Sequence, residues 1–289
     1  MKSWKDYLLS SGLPLEQSII QQFRSSEFQH VSEYKYERVD SQGSTKIFSV
    51  DVHAYKYASP WAEFFVECKY RHEGTQWIFI PDEYDNLLDE FSYETLIILD
   101  LFQKSRFNRK ELERFTDSIP LCGKGIEILP NDKNPKSIEQ SIQQLKYALL
   151  EEAIGSIKDQ LDWNSSTHIL IPITVTTALL RRLNSDVTIS DIKNANEIDE
   201  ISSVEKYLIV KQDPDIQYSR YAKTRIKNCF DERLIAKYDE MKPSPIRNFK
   251  HFTNWFSQYY PSKYFVVNFN FFEEFISKII ELLELKPMF

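Results

Sequence analysis

The sequence predicts an α/β fold in which a mixed central sheet is flanked by helices, on the basis of three observations. Apolar residues recur at helical spacing in segments 10–25 and 137–160. Three strand-like runs follow one another within residues 31–69, and a further β-rich run occupies 168–177. Helical and strand-like patterns both recur after residue 211, as a C-terminal α/β extension. The predicted order of the core is therefore α-β-β-β-α-β.

The first helix is predicted over residues 10–25, with its entry marked by Gly12 and Pro14, because proline is favoured in the first turn of a helix. Its predicted buried stripe is Leu15, Ile19, Ile20 and Phe23. A strand at Val31–Val39 follows, and residues 40–43 have the composition of a turn. Two adjacent antiparallel strands are then predicted within 46–69, joined by the turn-like Ala58, Ser59 and Pro60.

Residues 71–136 are predicted to be an insertion in the core. Gln76–Ile80 and Gly125–Leu129 have the pattern of short strands. Asp82–Phe102 is predicted to be an acidic helix, since its apolar residues recur at helical spacing and it contains no lysine or arginine. We expect this acidic segment to be a solvated helix face or to lie against a protein partner, and in either case away from any site that binds an anionic ligand.

The second long helix, 137–160, precedes a strand at His168–Thr177. Pro172 within that strand predicts an edge position or a bulge, because proline has no N–H to donate to a neighbouring strand. Ala178–Leu183 is predicted to be a short turn or helix, and Glu205–Lys211 a strand. These elements complete a core of residues 1–211. The extension, 212–289, is predicted to contain a charged helical segment at Asp213–Ser244, a strand at Tyr264–Phe269 and an amphipathic helix at Phe271–Leu285.

Composition excludes several classes of protein. A hydrophobic content of 42% over 289 residues is enough for a sizeable core. The three cysteines are scattered, so neither a disulfide framework nor a CxxC zinc site is expected. The sequence contains no Walker A or GxGxxG motif and no HExxH, which argues against an ATPase and a zinc hydrolase. The start lacks a signal peptide and no apolar run could span a bilayer, so we expect a cytoplasmic protein without membrane contact.

Charge is unevenly distributed along the chain. The formal net charge is −7, which argues against indiscriminate nucleic-acid binding. Between Tyr218 and His251, however, the sequence contains nine basic residues and only four acidic ones. This local basic excess is the expected contact for the nucleic-acid backbone, and its candidate residues are Arg220, Lys223, Arg225 and Lys227.

Three charged residues mark the candidate site. Side chains alternate across a strand, so Glu67 and Lys69 project from one face of their strand while Phe64, Val66 and Cys68 project from the other, toward a core. Asp51 closes the preceding strand and can lie beside Glu67. Charged groups are seldom buried without a partner or a metal. An acid-x-lysine spacing also occurs at Glu33 and Lys35, but only the Glu67 copy lies in a strongly apolar strand next to a second aspartate.

This arrangement resembles the PD-(D/E)XK nuclease superfamily, which has a restriction-endonuclease-like fold with an acid on one strand and an acid-x-lysine motif on the next. Val50 stands where the family has its leading proline. The resemblance implies that Asp51, Glu67 and the Cys68 backbone carbonyl bind Mg²⁺ or Mn²⁺ and that Lys69 is catalytic. It also matches Glu16, on the first helix, to a glutamate that supports the metal site; the alternative is an exposed first-turn acid favoured by the helix dipole.

A second, shorter resemblance lies on the helix 137–160. Gln143 and Tyr147 match the QxxxY of RecB-like nucleases, which implies contact with a nucleotide; glutamine is also common on solvated helix faces. The expected function is that of a magnesium-dependent endonuclease which hydrolyses DNA, in prokaryotic defence against foreign DNA.

Two alternatives to this function are open from the sequence. The first is a catalytically inactive nuclease-fold module that binds nucleic acid or a protein partner. The second is an interaction protein in which the charged trio is an internal salt bridge, with association to a partner or to a second copy of the chain. The inactive binding module would be favoured if Glu16 were turned outward and Asp51 did not meet Glu67, or if the pocket were plugged.

Overall fold

The computed structural model describes residues 3–39, 44–58, 60–82, 96–102, 107–129, 137–212, 215–242 and 248–284. The strands are β1 (His30–Val39), β2 (Thr45–Tyr57), β3 (Trp61–Lys69), β4 (Gln76–Pro81), β5 (Ile97–Leu99), β6 (Leu121–Ile128), β7 (His168–Thr176), β8 (Leu179–Leu183), β9 (Ser202–Glu205), β10 (Tyr207–Lys211) and β11 (Lys263–Asn268). The helices are α1 (Trp4–Ser10), α2 (Leu13–Ser25), α3 (Arg109–Asp117), α4 (Ser137–Trp163), α5 (Ile189–Asn194), α6 (Ile216–Cys229), α7 (Glu232–Met241), α8 (Phe249–Tyr259) and α9 (Phe272–Glu284).

The described strands form one mixed sheet, in the order β1-β2-β3-β7-β11-β10-β6-β4-β8-β9, with β5 paired to β7. β1, β2 and β3 are an antiparallel meander, and β7 lies parallel to β3. Four described elements, β4, β5, α3 and β6, lie between β3 and α4 in the segment predicted to be an insertion. Without them the chain order is α2, β1, β2, β3, α4, β7, which agrees with the predicted order of elements. The predicted α/β class with helices flanking a mixed sheet is confirmed.

The sheet separates two hydrophobic cores. On one face, α4 packs against the sheet and is itself covered by α6, α7 and α8. On the other face, α2 and α9 cover the central strands. The stripe of α2 predicted from its sequence is buried at Leu15, Ile19 and Phe23. Phe64, Val66 and Cys68 of β3 face this second core, which leaves Glu67 and Lys69 on the face toward α4.

Two elements of the fold differ from the sequence prediction. The helix predicted for Asp82–Phe102 is wrong at Ile97–Leu99, which forms β5, whereas residues 83–95 lie outside the described part of the chain. The turn or helix predicted for Ala178–Leu183 is wrong, because Leu179–Leu183 forms β8 beside β4. The predicted turn at 40–43 also falls on residues that are not described.

Pro172 does not mark an edge strand. Strand β7 is central: β3 pairs with its whole length on one side. On its other side β5 pairs with His168–Leu170 and β11 with Ile173–Thr176. Pro172 therefore falls in the gap between two successive partner strands. A missing N–H costs little at such a gap, which explains why proline is tolerated in the centre of the sheet.

The division at residue 211 stays a prediction. The strands on either side of it, β10 and β11, are antiparallel neighbours in the same sheet. The helices predicted in 213–244 and at the C-terminus are present as α6, α7 and α9. Within the described ranges, no helix is both long enough and apolar enough to cross a membrane.

Candidate active site

Strands β2 and β3 bring Asp51 and Glu67 together. The register that pairs Val52 with Val66 places Asp51 level with Glu67. The backbone N–H of Cys68 donates to Asp51 Oδ2 at 2.7 Å, which fixes the aspartate against the end of β3. Burial raises the pKa of Asp51, while this hydrogen bond and the charge of Lys69 act to lower it. The proximity expected from the spacing is therefore present.

A β-bulge in β2 sets the direction of the Asp51 side chain. His53 pairs with Ser32 and Val50 with Tyr34, so that Asp51 and Val52 together lie opposite the single residue Glu33. The bulge changes which residues of β2 face each core: Val50 belongs to the core beneath α4, but Val52 belongs to the opposite core. Bulges recur next to active sites because they redirect a side chain without ending the strand. Sequence alternation alone does not locate this bulge.

Glu67 is the most unusual group of the site. The residue is 1% exposed, and its Oε1 accepts a 2.7 Å hydrogen bond from Lys69 Nζ. Its other oxygen, Oε2, is buried and has no hydrogen-bond partner. Burial raises the pKa of Glu67 to about 8, despite the opposing charge of Lys69. A buried carboxylate oxygen without a partner costs about 1–3 kcal/mol, so such a group calls for an explanation outside packing.

Lys69 connects the strand pair to helix α4. Its side chain is 18% exposed, and Nζ lies 3.4 Å from Gln144 Oε1 in addition to its contact with Glu67. The Gln144 amide lies 3.5 Å from the Ser49 carbonyl oxygen, at the limit of a hydrogen bond. The sequence analysis does not select Gln144, because the QxxxY resemblance names its neighbour Gln143, and as a nucleotide contact. No pattern in the sequence indicates the contact of Gln144 with Lys69.

The two members of the QxxxY pair occupy different surroundings. Gln143 is partly buried. Tyr147 is only 6% exposed, and the Arg38 guanidinium carbon lies 3.8 Å from the centre of its ring. The ring also packs edge-on against Tyr218 and Tyr221 of α6. Tyr147 is therefore part of the contact between α4 and α6, with Arg38 covering its outer side.

Glu16 and Glu33 contribute further negative charge near the site. Glu16 lies in the first turn of α2, and its pKa is raised by burial and then by the charge of Asp51. Glu33 also raises the pKa of both Glu16 and Asp51. The expected placement of Glu16 near the strand acids is thus supported by electrostatic coupling. Glu33, on β1 opposite the bulge, was not selected from the sequence.

The described residues contain no group of three or more His, Cys, Asp or Glu side chains that could hold a metal ion. The predicted ligand set, however, contains only two side chains, Asp51 and Glu67, with the Cys68 carbonyl as the third donor. Carboxylate and carbonyl oxygens are the ligands that Mg²⁺ and Mn²⁺ prefer. The unpartnered Glu67 Oε2 has the chemistry expected of a ligand atom, so the residues present fit a hard divalent ion.

The predicted nucleic-acid contacts on α6 fall into two groups. Arg220, Lys223 and Lys227 are exposed. Arg225 instead forms a bidentate salt bridge with Glu151 of α4, with the shorter contact at 2.8 Å. That arginine holds α6 on α4, and less of its charge is available for a ligand.

A buried polar cluster lies farther along the same strands. Glu63, on the same face of β3 as Glu67, is hydrogen-bonded to His168 and to His53 Nε2, the latter at 3.1 Å. Burial raises the pKa of Glu63, but the hydrogen bonds and charges of the two histidines outweigh burial and lower it. Both oxygens of Glu63 have partners, in contrast to those of Glu67. This difference separates a structural buried acid from a candidate ligand.

A comparison of the chain with protein-family models, with curated proteins and with solved structures finds no significant match.

Proposed function

We propose that the chain is a metal-dependent nuclease that hydrolyses phosphodiester bonds, with DNA as its substrate. The observation that carries this proposal is the buried, unpartnered oxygen of Glu67 beside Asp51 and Lys69. Two carboxylates and one ammonium group at the end of two neighbouring strands match the chemistry of phosphodiester cleavage better than that of a structural ion pair, in which both carboxylate oxygens would be satisfied.

The order of elements around this site is a second support. The chain contains a helix, a three-stranded meander, a second helix and a strand parallel to the third strand of the meander, which is the order expected of a restriction-endonuclease-like core. In that fold the acids lie on the second and third strands of the meander, as Asp51 and Glu67 do here. The agreement joins two independent features, a motif read from residues and a topology read from hydrogen bonds.

Asp51, Glu67 and the Cys68 carbonyl would hold Mg²⁺ or Mn²⁺. When bound, the ion would neutralise charge on the scissile phosphate and act as a Lewis acid. The Lys69 ammonium group would donate a hydrogen bond to the phosphate oxygen on which negative charge develops. Its contact with Gln144 orients it toward the site. Glu16 and Glu33 border the site and favour a cation there. Exposed basic residues of α6, such as Arg220, would contact the nucleic-acid backbone.

The test is cleavage of linear and circular DNA, and of RNA, with Mg²⁺, Mn²⁺ or EDTA. We expect metal-dependent cutting of circular DNA, lost in Asp51→Ala and Lys69→Ala. Lys193→Ala is the matched control, because Asp191 and Lys193 repeat the acid-x-lysine spacing with both residues exposed on α5. If Lys69→Ala cuts as fast as Lys193→Ala, Lys69 is not catalytic.

One observation favours the alternative of a module that binds without cutting. Lys69 Nζ already contacts Glu67 and Gln144. These contacts are those of a structural ion pair as well as those of a lysine held in place for catalysis. Binding of nucleic acid without cutting, under every metal condition, would select this alternative. In that case Lys69→Ala would lower thermal stability without changing the affinity for DNA.

A further inference from the structure

Helices α6, α7 and α8 border a half-open cavity of about 450 Å³ at the protein surface. It is lined by Lys223 and Lys227 of α6, Ile235 and Asp239 of α7, and Phe249 and Lys250 of α8. Pockets that take small molecules commonly have about 300–1,000 Å³ and apolar walls with a few polar groups. Size and lining therefore suit a ligand of the dimensions of a mononucleotide.

The charge in this cavity is unbalanced. Its three lysines form no salt bridge with any carboxylate in the described part of the chain. Asp239, the acidic residue of the lining, accepts a 2.6 Å hydrogen bond from the backbone N–H of Phe249 at the start of α8. Its charge is thus directed to the helix N-terminus, where a carboxylate is favoured. Three ammonium groups are left beside one carboxylate that is already engaged.

Other basic residues of the same region have structural partners. Arg225 is bound to Glu151 and Arg233 to Asp162, both on α4. Lys237 donates to the backbone carbonyl of Leu161. These residues attach α6 and α7 to α4, and the lysines of the cavity serve no such contact. The basic residues of this region therefore form two groups: those that hold α6 and α7 on α4, and the three lysines that line the cavity.

We propose that this cavity binds a nucleotide, with its phosphates held by Lys223, Lys227 and Lys250. Ile235 and Phe249 provide the apolar wall against which the base would pack. Lysine ammonium groups bind phosphate oxygens by charge-assisted hydrogen bonds, and the apolar wall favours a ligand with a planar base over a bare anion. The ligand could be a free nucleotide or a nucleotide unit of a strand. The site is separate from the Asp51–Glu67 pair and does not depend on nuclease activity.

The test compares AMP, ADP, ATP, inorganic phosphate and a single-stranded oligonucleotide by calorimetry with the full chain. We expect the double variant Lys223→Ala/Lys227→Ala to weaken nucleotide binding by about tenfold or more, as loss of two charge-assisted contacts predicts. The charge-matched control Lys5→Ala/Lys193→Ala changes exposed lysines on α1 and α5 and should bind as the wild type does. Asp51→Ala should also leave nucleotide binding unchanged, which separates this site from the proposed metal site.

Each outcome decides the proposal. If the wild type binds free nucleotides and the double variant does not, the ligand of the cavity is a free nucleotide. Binding of the oligonucleotide alone, lost in the same variant but kept in Arg220→Ala, supports a nucleotide unit within a strand, because Arg220 is exposed on α6 but does not line the cavity. An equal loss in Arg220→Ala would show contact along the whole helix and would overturn the proposal. Equal affinity for inorganic phosphate and nucleotides would overturn the role of the apolar wall, and with it the proposal. Absence of nucleotide and oligonucleotide binding, or equal binding by the double variant and the wild type, would overturn it as well.

Discussion

At the scale of residues, two buried glutamates on one strand have opposite characters. Glu63 and Glu67 lie four residues apart on β3 and are both buried. Glu63 has hydrogen-bonded histidines on both oxygens and a lowered pKa, whereas Glu67 has one free oxygen and a pKa raised to about 8. Glu63 therefore stabilises the fold as a carboxylate, and Glu67 is held in the fold at some cost.

The corresponding variants should differ in stability. We expect Glu63→Gln to lose about 3 kcal/mol of unfolding free energy, because it breaks a buried charged network. Glu67→Gln in the absence of metal should stay within about 0.5 kcal/mol of the wild type, since glutamine keeps an acceptor oxygen for Lys69 and removes a buried charge that has only one partner. Chemical denaturation with EDTA present measures both values. Equal losses in the two variants would contradict the contrast drawn between these acids.

The Glu63 effect should also depend on pH. A carboxyl whose pKa is lower in the folded state binds fewer protons than it does in the unfolded chain. Its contribution is thus fully present above the unfolded pKa and is lost as the pH falls through the folded value. The stability difference between the wild type and Glu63→Gln should therefore shrink in acid. A difference that grows as the pH falls would show that the carboxylate is not the stabilising form.

At the scale of elements, two glycines have opposite roles in helices. Gly12 is the N-cap of α2 with φ +82°, a left-handed conformation that L side chains rarely adopt. Gly155 lies inside α4, where an added Cβ would meet nothing within 4 Å. Glycine is thus required at the entry to α2 and merely tolerated within α4.

Alanine substitutions should reveal this difference. Gly12→Ala is expected to lose about 1 kcal/mol through backbone strain, and Gly155→Ala to gain about 0.5–1 kcal/mol through helix propensity. Thermal or chemical unfolding of the two variants checks both signs. If Gly12→Ala proved as stable as the wild type, α2 would begin differently from the structure described here, and the placement of Glu16 in its first turn would be in doubt.

The elements that periodicity could predict are those with long, regular patterns. Helix α4 and strands β1 and β3 follow directly from apolar spacing, and the pairing of Asp51 with Glu67 follows from a strand, a turn and a strand. Strand β5 could not be predicted, because three residues carry no measurable period. The central position of Pro172 depends on how β5 and β11 divide one side of β7, which is a long-range fact absent from local sequence.

At the scale of the whole molecule, α4 connects the candidate site to the basic helices. It contributes Gln144 to the site, and farther along it holds Arg225 of α6 through Glu151. The sheet beneath places the strand acids on the face toward this helix. The bulge at Asp51 and the exact phase of α4 decide which side chains meet, and neither is encoded by a local pattern. The sequence therefore indicates the acids and the lysine but not Gln144 or Glu33.

The most direct test of the central claim is whether Mg²⁺ or Mn²⁺ binds through Glu67. A ligand that binds only the folded state raises its stability, so thermal unfolding with and without metal reports binding independently of cleavage. We expect Mn²⁺ to raise the melting temperature of the wild type and to have no such effect on Glu67→Gln or Asp51→Asn. An equal rise in all three proteins, or no rise in the wild type, would contradict the assignment of Glu67 as a metal ligand.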